Sequence, residues 1–437
     1  MLQITAAAIA RHYDCLNQIG RYGHDSQQGF DRPAYSDAES EAMRYIEDTA
    51  KRAGLLTRPD AAGNLIVETA GTFSRWVETG SHMDTVRGGG NYDGVAGVVA
   101  GLEVLLAVQS NKIPLTHGLR LRVWRGEESA AFGTASIGSL AAFGQLQPEV
   151  LERAHRGITL AEAMHRQGVD AEFVRQGIAA IPTAEKDTIA AYVELHIEQG
   201  NLLERQQCEI GVVTGIRGSI RHWVRLRGTF DHSGATPMGP EFRCDANLAM
   251  AHMMVALDDL QQQFNAGESH IVQTFGAINS HEAHNRRFPA IHENAVSKVS
   301  GFAYFSHEIR SCDAVMAADY QQQSQALMLE IAQTFQVAVE FELMSEASGI
   351  AALDASIQQA SAIACQRLGK RFMFLASGAW HDTAVLSHQR KSDGSPMATG
   401  MIFIPCLAGI SHSADEYASA DQIAAGANVL AAVMLSL

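Results

Sequence analysis

Four times along this chain an apolar, strand-like run ends on side chains able to ligate a metal. They are His82 and Asp93 in GSHMDTVRGGGNYDG (80–94), Glu127-Glu128 after Gly118–Gly126, His196 in HIEQG after Ile189–Leu195, and His412 in GISHSADE after IFIPC. Segments so far apart in sequence can meet if their strands lie side by side in one open α/β sheet, where sites gather in the crevice at the carboxyl ends of the strands. The recurrence therefore points to an α/β fold before composition is considered.

The glycine-rich stretch 80–94 is the centre of this pattern. Leu65-Ile66-Val67 reads as the buried strand that gives way to it through a short polar connection. An imidazole ligand usually donates its second ring proton to a carboxylate or carbonyl, and Asp84 is placed to receive that of His82. Glycines 88, 89, 90 and 94 let the backbone turn back without a Cβ penalty and bring Asp93 to the same place. Glu127 and Glu128 are neighbours, so their side chains leave the backbone in different directions. One can bind an ion while the other acts as general base toward a polarised water. Taken singly, HxD also reads as a polar turn, EE as a solvated turn and His196 as a structural histidine; their recurrence favours ligation. Imidazoles with carboxylates suit Zn, Mn, Co or Ni better than Ca or Mg. Three histidines, an aspartate able to bridge and a glutamate suffice for two ions about 3.5–4 Å apart.

Between these motifs the pattern is that of a mixed α/β chain. Residues 1–55 are largely helical, with a helix opening at Asp37-Ala38-Glu39. Helices are expected over Gly94–Gln109, Asn247–Phe264, Ser356–Leu368 and Ser419–Leu435, and within 140–180. Strands are expected over Leu65–Glu68, Gly118–Gly126, Ile189–Leu195, Ile220–Phe230, Ala295–Phe305 and Met401–Pro405, with a loop at Ser377–Thr383. From about Val212 the character changes, and 214–348 reads as an inserted α+β domain. Residues 1–213 and 349–437 then form the larger domain. A chain of 437 residues is too long for one ordinary core, which agrees with this division.

The formal charge of −15, from 33 basic and 48 acidic residues, argues against nucleic acid or an anionic membrane as the main partner. Six cysteines (15, 208, 244, 312, 365, 406) without CxxC spacing read as reduced thiols rather than a disulfide frame. The N-terminal stretch lacks the charged and apolar regions of a signal peptide, and no run of about 18 apolar residues occurs. A cytoplasmic enzyme is the expectation.

Taken together, DAAGNL (60–65), GSHMDTVRGGGNYDG, GEES (126–129), ELHIEQG (194–200), HSGATPM (232–238), SGAWHD (377–382) and GISHSADE (409–416) resemble the M20-type metallohydrolases. Within them the chain is most similar to the hydantoinase/carbamoylase group, which includes N-carbamoyl-L-amino acid hydrolases and allantoate amidohydrolases. The resemblance covers essentially the whole chain; HIEQG and HSGxTPM are its most specific parts. It implies a phosphorylase/hydrolase-like catalytic domain with a central mixed sheet flanked by helices, plus the inserted domain as a lid that also dimerises. It implies that His82, Asp93 and His196 hold one metal, and that Asp93 bridges to a second held by Glu128 and His412. Glu127 is then the catalytic base, Asp84 orients His82, and His232 stabilises the oxyanion, typically from the partner subunit of a homodimer. Gln199, His381 and Arg310 bind substrate, Arg310 forking its carboxylate.

The chain departs from the group's pattern at a few places. Ser297 stands where the substrate-binding Asn is usual, with Asn294 nearby, and Glu308 replaces the Asp two residues before Arg310. Trp380 replaces a small residue before the His-Asp pair, and Ala414 a Pro after Ser-His-Ser. The expected activity is hydrolysis of the linear C–N bond of an N-carbamoyl-L-amino acid or related ureido acid, releasing ammonia and CO2, with two divalent ions per subunit (Zn2+ or Mn2+, or Co2+ or Ni2+). The alternatives are an allantoate-type ureide hydrolase, an M20 aminoacylase or dipeptidase, and a metal-binding protein without catalysis.

Overall fold

The computed structural model describes residues 2–23, 29–267, 270–279 and 295–437, without the side chains of 345–348. The chain divides into two compact units, Met1–Ile216 with Ala352–Leu437, and Arg217–Ala351.

The first unit is built on a nine-stranded mixed sheet. In spatial order its strands are Leu56–Pro59, Leu65–Glu68, Gly118–Trp124, Trp76–His82, Ile189–Ile197, Thr399–Ile404, Ile210–Ile216 and Ala351–Ala352, with Phe372–Ser377 also on Ile210–Ile216. The four central ones, Gly118–Trp124 to Thr399–Ile404, run parallel to one another, so their carboxyl ends share one edge. Alternation along each strand separates two cores. Val123, Leu195 and Ile402 face a core made by helices Val95–Ser110, Ala420–Ser436, Ala6–Leu16 and Ala355–Arg367. Trp124 and Tyr192 point the other way, toward Phe143 and Leu386. The mixed sheet flanked by helices is the architecture expected from the sequence.

The strand Trp76–His82 corrects the sequence reading, which ran Leu65–Val67 directly into the metal-binding loop. Leu65–Glu68 is instead an outer strand, antiparallel to Gly118–Trp124, and Trp76–His82 leads into the loop. Its WVETGSH sequence is too polar to read as buried. Yet Glu78, Thr79 and Ser81 are fully buried, because Glu78 is satisfied by Arg120 and Arg122 of the neighbouring strand. Residues 140–180 contain, besides short helices, a hairpin of Ala154–His155 with Ile158–Thr159. The Ser377–Thr383 loop is shorter than expected, since a helix begins at Asp382.

The second unit is a four-stranded antiparallel sheet, ordered Val272–Thr274, Phe302–Ser311, Gly218–Arg227, Ala338–Ser348. Helices Ala246–Phe264 and Ala314–Thr334 pack on it through Met253, Leu257 and Met328 against Val224, Leu226 and Phe305. Each helix starts at an aspartate, Asp245 or Asp313, whose side chain accepts two first-turn amides. The strand expected over Ala295–Phe305 is broken: Lys298–Val299 pairs with Asp231–His232, and the long strand starts at Phe302 and runs to Ser311. All six cysteines are free, and no helix among the described residues is long and apolar enough to cross a membrane.

Candidate metal centre and active site

The parallel strands set the site. His82 is the last residue of Trp76–His82 and lies opposite Trp124, so Glu127 and Glu128 follow on the adjacent strand end. His196 lies in Ile189–Ile197 opposite Phe403 of Thr399–Ile404, the strand that precedes His412. Asp93 is carried in by the loop after His82. Gly94 then opens helix Val95–Ser110 with φ +65°, and a Cβ there would lie 2.5 Å from the His82 ring. Glycine is thus required both by backbone conformation and by the closeness of the imidazole.

Asp93 offers one oxygen to each side. Its Oδ1 is 3.0 Å from His196 Nε2 and 3.5 Å from His82 Nε2. Its Oδ2 is 3.3 Å from His412 Nε2, which is 3.2 Å from Glu128 Oε1. Two donor groups result, His82–Asp93–His196 and Asp93–Glu128–His412, each with ligand atoms within 4.8 Å of one another. The ring nitrogens that face away from Asp93 are occupied. His196 Nδ1 donates to the Ile197 carbonyl at 2.9 Å, and His82 Nδ1 lies 3.2 Å from Asp84 Oδ1. Nε2 is thereby left as the lone-pair donor in both, which is how an imidazole ligand is oriented. The nitrogen–oxygen donor set fits a divalent transition-metal or zinc ion. His82 and His196 are buried, whereas the His412 side chain is 49% exposed, so the centre opens on the His412 side.

Asp84 does more than orient His82. Its Oδ1 and Oδ2 accept the backbone N–H groups of Glu127 and Glu128, each at 3.0 Å. One buried carboxylate thus ties the end of one strand to the residues following the next. Glu127 Oε2 is 4.0 Å from His82 Nε2 and binds no Lys or Arg among the described residues.

The electrostatics follow from acids and imidazoles crowded away from water. Burial alone would raise the Asp93 pKa, but His196, His412 and His82 hold it well below the carboxylate range. Burial lowers imidazole pKa values, yet Asp84 and Asp93 carry His82 well above its ordinary value. Hydrogen bonds to Asp93 and Glu128 lift His412 to about 11. Burial, offset in part by His82 and reinforced by Glu128 and Asp382, raises Glu127 well above the usual carboxylate. A cluster whose acids hold protons on the neighbouring imidazoles attracts a divalent cation for the same reason, and binding the cation releases those protons.

Gln199 lies beside the shared aspartate, donating from Nε2 to Asp93 Oδ2 at 2.6 Å, while its buried Oε1 has no partner among the described residues. His381 is buried edge-on against the His196 ring, 4.4 Å between centroids, with Nε2 2.9 Å from Ser377 Oγ. Burial and the nearby His196 hold its pKa well below the ordinary imidazole value. Glu194, His196 and His381 also cluster. Glu194, however, accepts Ser81 Oγ on one oxygen and Thr383 N and Oγ1 on the other. That group is better described as a brace holding two strands and a helix together than as an ion seat.

His232, Ser297 and Arg310 belong to the unit Arg217–Ala351. His232 is exposed, and its Nδ1 accepts the amides of Gly234 (3.2 Å) and Ala235 (3.1 Å), which leaves the ring proton on Nε2. Ser297, also exposed, accepts Ser233 N at its carbonyl, 3.1 Å away, next to the His232 turn. Arg310 Nη2 donates to Glu308 Oε1 at 2.9 Å, and the same oxygen accepts Arg221 Nε at 2.5 Å. Asn294 lies outside the described residues.

Two buried acids that sequence reasoning passed over, Glu194 and Glu416, each hold several site segments. Glu194 is a charged residue inside the apolar run IAAYVEL, and Glu416 closes GISHSADE; both stand out along the chain, but their partners are distant in sequence and carry no local signal.

Residues 78–436 match the sequence model of peptidase family M20/M25/M40. The chain is 32% identical over 426 residues to the N-carbamoyl-L-amino acid amidohydrolase of Geobacillus stearothermophilus, covering 96% of each. It is 28% identical over 431 residues to the allantoate amidohydrolase of Escherichia coli (strain K12), covering 97% of each. An amidase of the hydantoinase/carbamoylase family from Burkholderia multivorans superposes with a TM-score of 0.85 at 28% identity, covering 100% of this chain and 98% of that one.

Proposed function

Because this chain belongs to peptidase family M20/M25/M40, and within it to the hydantoinase/carbamoylase amidases, we propose that it is a metal-dependent amidohydrolase whose preferred substrate is an N-carbamoyl-L-amino acid. The observation that carries the metal-dependent part is the pair of donor groups sharing Asp93, with Glu127 beside them. The names of the relatives support a ureido-acid substrate.

In this reading His82, Asp93 and His196 hold one divalent ion, and Asp93, Glu128 and His412 a second. The ions, when bound, polarise the substrate carbonyl and make water more acidic. Glu127 takes the proton of the attacking water and delivers it to the leaving nitrogen, a role suited to a buried carboxylate whose proton affinity is raised. Asp84 holds Glu127 and Glu128 by their backbones. His232 donates from Nε2 to the developing oxyanion; its two backbone contacts at Nδ1 fix the tautomer this needs. It is proposed to act across a homodimer interface formed by the inserted unit. Gln199, His381 and Arg310 contact the substrate, with Ser297 or Asn294 as a further anchor. The overall change consumes one water and yields the amino acid, CO2 and ammonia.

The test is a substrate panel with and without added Mn2+: ammonia release from N-carbamoyl-L-amino acids and allantoate, and free amino acid from dipeptides. The carbamoyl substrates should be turned over fastest. Faster allantoate cleavage makes the protein a ureide hydrolase, preference for dipeptides makes it a peptidase, and no turnover by folded, metal-loaded protein leaves a binding protein. Mixing inactive His232→Ala with inactive Glu127→Ala chains should restore activity in heterodimers. No recovery despite demonstrated subunit exchange would remove the shared-site part.

A further inference from the structure

The bridging aspartate and the distal histidine come from loops near opposite ends of the chain, and one buried side chain joins them. Glu416, 4% exposed, accepts the amides of Tyr92 and Asp93 on Oε1, each at 2.9 Å. On Oε2 it accepts the amide of His412 at 3.2 Å and the hydroxyl of Ser411 at 3.1 Å. The carboxylate makes no hydrogen bond to a metal-ligating atom; it holds three backbone amides and the Ser411 hydroxyl, which itself lies 2.9 Å from Asp93 Oδ2. The space for it is specific. A Cβ on Gly90 would lie 2.4 Å from both Glu416 Oε1 and Cβ, so the glycine loop can close over the acid only without a side chain there. His412 itself has φ +57°, a left-handed conformation that a side chain with a Cβ rarely adopts unless something outside holds it. The bond from its amide to Glu416 is such a hold.

We propose that Glu416 is a positioning residue that sets the two metal-ligand loops in register, its Oε1 placing the shared Asp93 and its Oε2 placing His412. The inference rests on the two-ion reading of the site. It makes the two oxygens separable. An amide at this position has one accepting oxygen and one donating nitrogen, so it can satisfy the Tyr92 and Asp93 amides or that of His412, but not both. With its oxygen kept on the two-donor side, the nitrogen faces the His412 N–H, donor against donor. The His412 loop is then released while Asp93 stays placed. A methyl group at position 90 does the reverse, displacing Oε1 from the Asp93 side.

The test is titration of chelator-treated protein with Zn2+ against a chromophoric competitor, with thermal unfolding of the same samples. Wild type should bind two ions per chain. Glu416→Gln should keep one with wild-type affinity and weaken the other about tenfold or more, the loss expected for a bond to an ionised acceptor. Gly90→Ala, which retains the carboxylate, should weaken both, because Asp93 is shared. Glu416→Gln that binds both ions as wild type does would overturn the proposal. So would equal weakening of both ions in step with a fall in thermal stability, since that is all a general structural role would produce. A wild-type chain that binds no ion pair sinks the two-ion reading itself, a result seen before any variant is compared.

Discussion

One strand, Trp76–His82, carries two buried clusters of charge that are built on opposite plans. Near its start Glu78 meets Arg120 and Arg122, and Glu68, Glu185 and Arg58 complete a set of three acids and three guanidiniums. At its end His82 meets Asp84, Asp93 and Glu127, with Glu128, His196 and His412 close by, and no Lys or Arg bonds to those four acids among the described residues. Burial opposes ionisation in both. Around Glu78 it is overcome by Arg122 and Arg120, and the acid's pKa is lowered. Around Glu127 the one favourable neighbour, His82, does not overcome it, and the pKa is raised. The first cluster is closed by guanidiniums, whereas the second has only imidazoles, which can give up their protons to a metal cation. The same sheet supplies both because strand interiors bury charge only with a partner in register, while strand ends deliver loops that leave the charge open to a ligand.

The largest effect that would sharpen this contrast is at the open end. Asp93→Ala should bring turnover to background and lower bound metal, by elemental analysis, because both donor groups lose their shared ligand. Glu127→Gln should keep its metal and lower kcat by about 10^2–10^4-fold. Full activity with unchanged metal in Asp93→Ala would show that the open end is not a metal site.

At the closed end the expectation is reversed. Glu78→Gln leaves Arg120 and Arg122 with Glu68 and Glu185 but without their fully buried acid, and should cost about 3 kcal/mol in denaturant unfolding, while kcat per folded molecule and metal content stay at wild-type values. Loss of activity with stability intact would mean that the two clusters are not independent.

The pH dependence should separate them further. Glu78 has a lowered folded pKa, so its contribution is present above the ordinary value of 4.5 and is lost as pH falls through the depressed one. In chelator-treated protein His412 is raised from 6.5 to about 11, so its contribution is present below 6.5 and lost as pH rises through about 11. Thermal melts of metal-free protein should therefore show an alkaline decline that ion-loaded protein lacks. Equal alkaline slopes for the two forms would show that His412 does not pair with Asp93 and Glu128 in solution.

The smallest effect tests a charge of intermediate kind. Arg310 is partly exposed and shares Glu308 with Arg221. If it forks the substrate carboxylate, Arg310→Lys should raise KM about tenfold with a smaller change in kcat. Identical KM values would leave Arg310 as a member of that ion-pair group alone.

The open cluster is more legible along the chain than the closed one. Glu127, Glu128, His196 and His412 follow apolar runs, where a polar residue is conspicuous, His82 and Asp93 stand in a glycine-rich stretch, and the structure brings all six together. Parallel strands with a common carboxyl edge were implied by that recurrence. What the tertiary structure alone decided is wherever a charge is made tolerable by a distant partner. Glu78 hid a central strand, because a glutamate in a strand interior reads as polar until Arg120 and Arg122 are seen across the sheet. Asp84 read as the orienter of one histidine, although its carboxylate also receives two amides from the next strand's end. Glu416 and Gly90 each look ordinary alone; their meaning is a close contact between residues near opposite ends of the chain. Period and composition are local properties and can be read along the chain. The desolvation of a charge, and the bond that offsets it, is fixed only when the sheet order sets which residues meet.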